Sequence, residues 1–294
     1  MSGYEINRFD DGYTMYELKE GSTDSFVRIC PERGGIATEL TLNGEPLFYL
    51  DRETFLDPQA NIRGGNPILF PICGQLTDKK YEWEDQVFTM ANHGVARTSR
   101  WEVVGTSERD EASITLRLHS NAETLPSYPF EFELLFTYVL RDGTLRLEQQ
   151  YRNLSDRPMP MYAGFHPYFA TNNKAIVYAT DATKYLDYND EKVKPIDGAI
   201  DLGGLVESVA LLDANHPAIS FDIREDCSVH MSYSEHFRYI VLWSAEGKPF
   251  VCVEPWMAKT NELNRKEELV TIEPNGQLNA WLAISVPIHS TYNN

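Results

Sequence analysis

Apolar and polar positions alternate with a period of two along much of the chain. Ile114, Leu116 and Leu118 alternate with polar residues in ASITLRLHS, and Leu145 and Leu147 do so in TLRLEQQY. Successive side chains of a strand point to opposite faces, so this pattern predicts strands with one buried face. The run FEFELLFTYVL (130–140) is followed by Arg141, then Asp142-Gly143, then TLRLEQQYRN. That order predicts a hairpin, because Asp-Gly accepts the positive φ that a tight two-residue turn demands. Further strands are predicted in SFVRICPE, GIATELTLN, PLFYL, AISFDI, SVHMSYS, FRYIVLWS, KPFVCVEPW and LNAWLAISVPI, punctuated by Gly, Pro, Asn and Asp.

Helix is scarce. TNELNRKEEL (260–269) lacks a sustained apolar stripe and predicts only a turn or a short helix. No linker-like run or fixed-period repeat divides the chain, so residues 1–294 are expected to form a single domain. So many strands exceed what one open twisted sheet holds, and the predicted fold is all-β, a large antiparallel β-sandwich.

Composition narrows the choice of partner. Hydrophobic residues make up 42% of the 294 positions, enough for a sizeable core without disulfide staples. A net charge of -18 repels phosphate backbones and anionic lipid, so neither nucleic acid nor a membrane is the expected partner. A pocket holding a few arginines sets its own local potential, so an anionic small molecule stays open. Cys30, Cys73, Cys227 and Cys252 are scattered singly, with no CxxC pair, and reduced buried thiols are expected. The polar, acidic start lacks a secretory pattern, and no apolar stretch of roughly 20 residues occurs, so a cytoplasmic protein is expected. Exposed sheet edges and 16 tyrosines permit a monomer or a homodimer.

Three segments set polar residues among apolar, Gly/Pro-bent surroundings. In NIRGGNPILFPICG, Arg63 precedes Gly64-Gly65 and a buried-looking strand, so it either snorkels to solvent or points into a pocket. In ANHGVARTSRWEV, His93 and Arg97 flank small residues that leave space around both, with Asn92 alongside; a hydrogen-bonded loop histidine is the plainer account of His93 alone. The third is a pair, GFHPYF and FVCVEPW. His166 sits in an aromatic surround that desolvates an imidazole, and Glu254 ends an apolar strand where a carboxylate is costly without a purpose. A structural carboxylate paired with an arginine or amides is the alternative. His119, His216, His230, His236 and His289 read as surface or sheet histidines, and no metal-ligand spacing is present. No GxSxG, GxxxxGK[ST] or HExxH motif occurs.

Taken in order, RGGNPILFPICG, NHGVAR, WEV from Trp101, GFHPYF and CVEPW resemble the aldose 1-epimerase (galactose mutarotase) superfamily, near its hexose-6-phosphate mutarotase branch, from about Gly35 to Pro287. The resemblance implies an extensive antiparallel sandwich, agreeing with the strand count. It further implies that His166 is the general acid, Glu254 the general base, and His93 a second histidine that holds the sugar. Arg63, Asn92 and Arg97 fall on substrate-contacting positions, the arginines resembling those proposed to bind phosphate. A sugar-binding aspartate is also implied, for which Asp201 is the choice and Asp213 the rival.

Mutarotation removes a proton from the anomeric hydroxyl while delivering one to the ring oxygen, so it needs a base and an acid but no cofactor. The expected partner is a small sugar or sugar phosphate. Two other readings remain: a non-catalytic carbohydrate-binding sandwich on the same fold, and a glycoside-cleaving enzyme, which would need a second pocket carboxyl.

Overall fold

The computed structural model describes residues 3–287; His289 and the end of the last strand segment lie outside them. The Asp-Gly hairpin forms as the alternation predicts. Phe132–Arg141 pairs with Thr144–Asn153 in a register that sets Arg141 opposite Thr144. The two residues between take φ of 49° at Asp142 and 65° at Gly143, the left-handed geometry a two-residue hairpin turn needs.

This hairpin is the middle of an eight-stranded antiparallel sheet. Across it run Tyr178–Ala179, Ala218–Arg224, Cys227–Tyr233, Gln277–Ser285, Thr144–Asn153, Phe132–Arg141, Ala112–His119 and Glu102–Ser107. A second eight-stranded sheet orders Lys192–Pro195, Lys184–Asp187, Val209–Leu211, Tyr239–Trp243, Phe250–Trp256, Gly164–Phe165 and Ile68–Leu69, with Tyr168–Ala170 also paired to Phe250–Trp256. Rings bridge the two sheets: Phe136 to Phe165 at 6.2 Å and Phe169 to Phe221 at 5.0 Å between centroids. One apolar cluster runs through both sheets, as a sandwich requires. The predicted all-β, antiparallel sandwich is what the chain forms.

The N-terminal segment differs from its sequence reading, which found there only a polar, acidic start. Tyr4–Asp10 and Thr14–Glu20 form a hairpin that begins a five-stranded sheet with Ser25–Cys30, Ile36–Leu42 and Glu45–Pro46. Its outer strand is mostly exposed, so the period-two signal is weak. The sheet is tied to the rest of the fold by specific bonds: the Tyr138 hydroxyl donates to the Gly35 carbonyl at 2.6 Å, and the Gly143 amide donates to Glu20 at 2.8 Å.

Two predicted strands are shorter than their apolar runs. PLFYL pairs as a strand only at Pro46 and otherwise makes isolated bridges at Phe48 and Leu50, and PILFPI pairs as a strand only at Ile68–Leu69. Proline lacks the ladder donor, and Pro67 and Pro71 bracket that pair. TNELNRKEEL yields a four-residue helix, Glu262–Arg265, between left-handed Asn261 and Lys266. Among the described residues no helix is long and apolar enough to cross a membrane.

Candidate active site

The strand Phe250–Trp256 is buried at all seven positions, and strand alternation divides its side chains into two sets. Val251 and Val253 form one set, in the main core, and Cys252, Glu254 and Trp256 belong to the other, of which Glu254 and Trp256 line the hollow. Gly164–Phe165 and Tyr168–Ala170 both pair with this strand. Gly164 stands opposite Trp256 and Tyr168 opposite Cys252. The register therefore sets His166 opposite Glu254, on the same face. Pro167 has no amide to give the ladder, and the pairing breaks just there.

The two side chains meet. His166 Nε2 lies 3.4 Å from Glu254 Oε1, with the imidazole 9% and the carboxylate 1% exposed. The other carboxylate oxygen accepts a 3.1 Å hydrogen bond from the Trp256 indole. His166 stacks on Tyr168 at 4.7 Å and 11°, and its Nδ1 is buried without a hydrogen-bond partner. Burial drives the Glu254 carboxyl well above the ordinary carboxylate range, opposed by the Trp256 bond and the Arg97 charge. It drives His166 well below the ordinary imidazole value, with His93, Arg97 and Arg63 pushing the same way. These are the opposed environments in which one proton is held between an acid and a base.

His93 approaches from a third direction, its ring 5.3 Å from that of His166. It adopts φ of 67°, followed by Gly94 at 77°. A Cβ on Gly94 would lie 2.3 Å from the Phe70 carbonyl oxygen, so the His-Gly pair is required by a close backbone approach. The Gly74 amide donates to His93 Nδ1 at 3.1 Å, while the His93 amide donates to the Gly74 carbonyl at 2.8 Å. With Nδ1 accepting, the proton resides on Nε2. Burial, then the charges of Arg97 and Arg63, holds His93 well below the ordinary imidazole value, so the ring is a neutral donor.

A hollow of about 590 Å³ opens over these groups. Arg63, Asn92, His93, His166 and Glu254 all line it, together with Trp243, Trp256, Tyr188, Glu191, Glu207 and Thr260. Five of the seven residues singled out in the sequence are thus brought to one cavity. The Arg63 guanidinium lies 5.1 Å over the Trp243 ring. Arg97, on the turn Ala96–Thr98, does not line the hollow, although its charge reaches Glu254, His93 and His166. Among the described residues neither arginine has an ion-pair partner.

Asp201 requires correction. Its exposed carboxylate accepts the Gly203 amide at 2.8 Å in a turn outside the hollow. Asp213 is no substitute, since it holds Thr183 through bonds of 2.9 and 2.6 Å beside a different depression. The further carboxylates at the cavity are Glu191 and Glu207, which no sequence pattern marked. Trp243, Tyr188 and Thr260 were missed as well. Trp243 was read only as a strand residue, but its offset of two from Val241 on a strand beside Glu254 places both on the cavity face.

A buried imidazole–carboxylate pair thus lies at a polar, aromatic-walled hollow in a β-sandwich. The aldose 1-epimerase family model matches residues 16–285, and the chain belongs to that family. It is 31% identical over 235 residues to the chromosomal LacX protein of Lactococcus lactis subsp. lactis, a match covering 68% of this chain and 76% of LacX. The solved structure of Slr1438 from Synechocystis sp. PCC 6803 superposes with a TM-score of 0.89 at 38% identity, covering 96% of this chain and 99% of that one. A galactose mutarotase related enzyme from Lactobacillus acidophilus has the same fold, with a TM-score of 0.74 at 20% identity over 96% and 97% of the two chains.

Proposed function

We propose that this protein is an aldose 1-epimerase that interconverts the α and β anomers of an aldohexose or a hexose 6-phosphate. The observation that carries the reading is the His166–Glu254 pair, 3.4 Å apart and open to the hollow. Ring opening needs the anomeric hydroxyl deprotonated and the ring oxygen protonated in the same complex. A sugar seated over the pair presents those two oxygens to it. Starting from the arrangement in which the pair's one proton sits on His166, Glu254 takes the hydroxyl proton and His166 delivers its own to the ring oxygen, so that the pair still holds one proton afterwards. The open aldehyde then turns about its first carbon–carbon bond, and reclosure reverses both transfers on the other face. His93, a neutral Nε2–H donor, is suited to hold a sugar oxygen. Trp243 and Trp256, both lining the hollow, offer apolar faces to the ring.

Arg63 supports a phosphorylated substrate, because it lines the hollow and an unpaired guanidinium offers a fork of donors matched to phosphate oxygens; Arg97, outside the lining, adds only positive charge nearby. The test is exchange spectroscopy by NMR, or polarimetry, on glucose, galactose and glucose 6-phosphate. Wild-type protein should accelerate anomer exchange on at least one, and Glu254→Gln should bring it close to background. Sugar binding with no acceleration would instead favour a non-catalytic carbohydrate-binding protein.

A further inference from the structure

The register that joins His166 to Glu254 brings a third donor to the same spot. Cys252 precedes Glu254 by two residues on one strand, so both side chains lie on one face. One ligand-type atom from each of His166, Cys252 and Glu254 lies within 4.8 Å of the others, and all three residues are buried. We propose that this cluster is a site for a soft divalent cation of the zinc class, and that the bound ion blocks the hollow to sugar. The cation site shares His166 and Glu254 with the epimerase reading and stands on its own geometry, whereas the exclusion of sugar rests on that reading.

Donor chemistry and geometry both favour the assignment. Imidazole nitrogen, thiolate sulfur and carboxylate oxygen are the three ligand types that zinc accepts. In a tetrahedral site with bonds of roughly 2.0 to 2.3 Å, donor atoms sit about 3.3 to 3.7 Å apart. The 3.4 Å between His166 and Glu254 already fits, and the remaining separations need only a modest contraction. His166 and Glu254 both line the hollow, so an ion held between them borders it, with three protein ligands and a fourth position left for water or another small ligand. Charge points to a divalent ion. Uncharged, the cluster holds one thiol proton and one proton on the His166–Glu254 pair. Exchanging both protons for one M²⁺ leaves thiolate, carboxylate and neutral imidazole around the ion, with no change in net buried charge.

One feature limits the affinity. Histidines that bind metal tightly pass their second N–H to an outer partner, and His166 Nδ1 has none. Arg63 and Arg97 also repel a cation. Reversible inhibition, with sugar and metal excluding each other, follows better than a resident metal.

Cobalt(II) reports the ligand set directly. Titrating the whole reduced protein with Co²⁺ should produce a near-ultraviolet thiolate-to-cobalt band and visible bands of tetrahedral intensity, and Zn²⁺ should discharge both. C252S and C252A should lose the near-ultraviolet band and weaken Zn²⁺ binding by at least the roughly tenfold that even an outer-shell partner is worth. They should retain anomer exchange, now resistant to Zn²⁺. Circular dichroism establishes that at least one variant folds, and displacement of Co²⁺ by saturating sugar serves as the test on wild type alone. A cobalt spectrum without a thiolate band, or a band that survives in the folded Cys252 variants, overturns the proposal. Cobalt binding as described in a protein that never accelerates anomer exchange would leave this site standing and remove the epimerase reading instead.

Discussion

His166 and Glu254 are a cross-strand pair, set opposite each other by the register that places Gly164 against Trp256 and Tyr168 against Cys252, with 3.4 Å between Nε2 and Oε1. The same sheet that forms the core thus fixes the spacing of imidazole and carboxylate. Glu254 lies within a fully buried strand and His166 in the two-residue break between two short strands paired to it, so mutation of either should remove chemistry rather than folding. Glu254→Gln and His166→Asn should each lower the rate of anomer exchange by about 10²- to 10⁴-fold, with little change in KM. Because the two act on one substrate as a unit, the double variant should be scarcely slower than the worse single one. A double variant slower by the product of the two effects would mean that the groups act independently.

The pair also sets the pH dependence. Burial penalises every charged arrangement, so the net-neutral, one-proton form is spread over a wide range. Adding a second proton is resisted because His166 is held well below its ordinary value, and removing the only one is resisted because Glu254 is held well above its own. A plot of kcat/KM against pH should be a broad bell whose acid limb lies below the ordinary imidazole value of about 6.5 and whose alkaline limb lies above the ordinary carboxylate value of about 4.3. Both limbs belong to the pair and not to either residue. Replacing Trp256 by Phe removes the hydrogen bond that favours the ionised carboxylate. The alkaline limb should then move upward, and the rate should fall by at most the roughly ten- to hundredfold that corresponds to a hydrogen bond to a charged group of about 1.5 to 3 kcal/mol.

Much of the architecture was legible because a half-buried strand writes its own period into the sequence, and the Asp142-Gly143 turn announced its hairpin. The site was legible as residue types in tight surroundings: His166 among aromatics, Glu254 at the end of an apolar run, His93 before an obligatory glycine. What escaped was anything that depends on register or on distant chain. That Cys252 shares a face with Glu254 follows from alternation, but that this face is the cavity face needs the partner strands. Glu191, Glu207 and Tyr188 reach the hollow from segments whose local sequence is ordinary loop and edge. Asp201 misled for the same reason, since an Asp that caps its own turn looks locally like an Asp that holds a ligand.

Stability should respond to the two site histidines, buried His166 and half-buried His93. His93 and His166 both have folded values depressed well below the unfolded 6.5, so below that pH the unfolded chain binds more protons than the folded one. Stability therefore rises with pH up to about 6.5 and is lost as pH falls below it. Glu254 acts in the opposite sense: its raised folded value favours the folded state at low pH, and that contribution fades as pH climbs above the unfolded carboxyl value. In Glu254→Gln only the histidine contribution remains from this cluster. Calorimetry from pH 5 to pH 7 should show Tm climbing more steeply in Glu254→Gln than in wild type, and less steeply again when His93→Asn is added. Parallel curves for all three would mean that the histidines titrate alike in the folded and unfolded states.

Gly94 is the backbone position on which His93 depends. With φ of 77° and a Phe70 carbonyl oxygen 2.3 Å from where a Cβ would sit, Gly94→Ala must shift main chain on one side or the other. Left-handed strain of this kind costs about 1 to 3 kcal/mol, to be read as a lowered urea midpoint. The displaced turn also carries His93 away from Gly74, so anomer exchange should fall in the folded variant. A folded Gly94→Ala protein with wild-type kinetics would show that the position of His93 is immaterial to the reaction.

Arg63 and Arg97 are the residues through which the charge of the proposed substrate can be tested. Arg63 lines the hollow over Trp243 with no carboxylate partner among the described residues, whereas Arg97 acts from outside the lining and also lowers the carboxyl value of Glu254. Removing them should therefore differ in kind. If the substrate is a hexose 6-phosphate, Arg63→Ala should raise its KM by roughly ten- to a hundredfold, the worth of a charge-assisted bond of about 1.5 to 3 kcal/mol, and leave the free sugar almost unaffected. Arg97→Ala should additionally shift the alkaline limb upward for either sugar, because a positive charge that favours the carboxylate has gone. Equal losses on glucose and glucose 6-phosphate in Arg63→Ala would mean that the guanidinium binds ring hydroxyls, and Glu191 and Glu207 at the same hollow would then read as part of a site for neutral sugars.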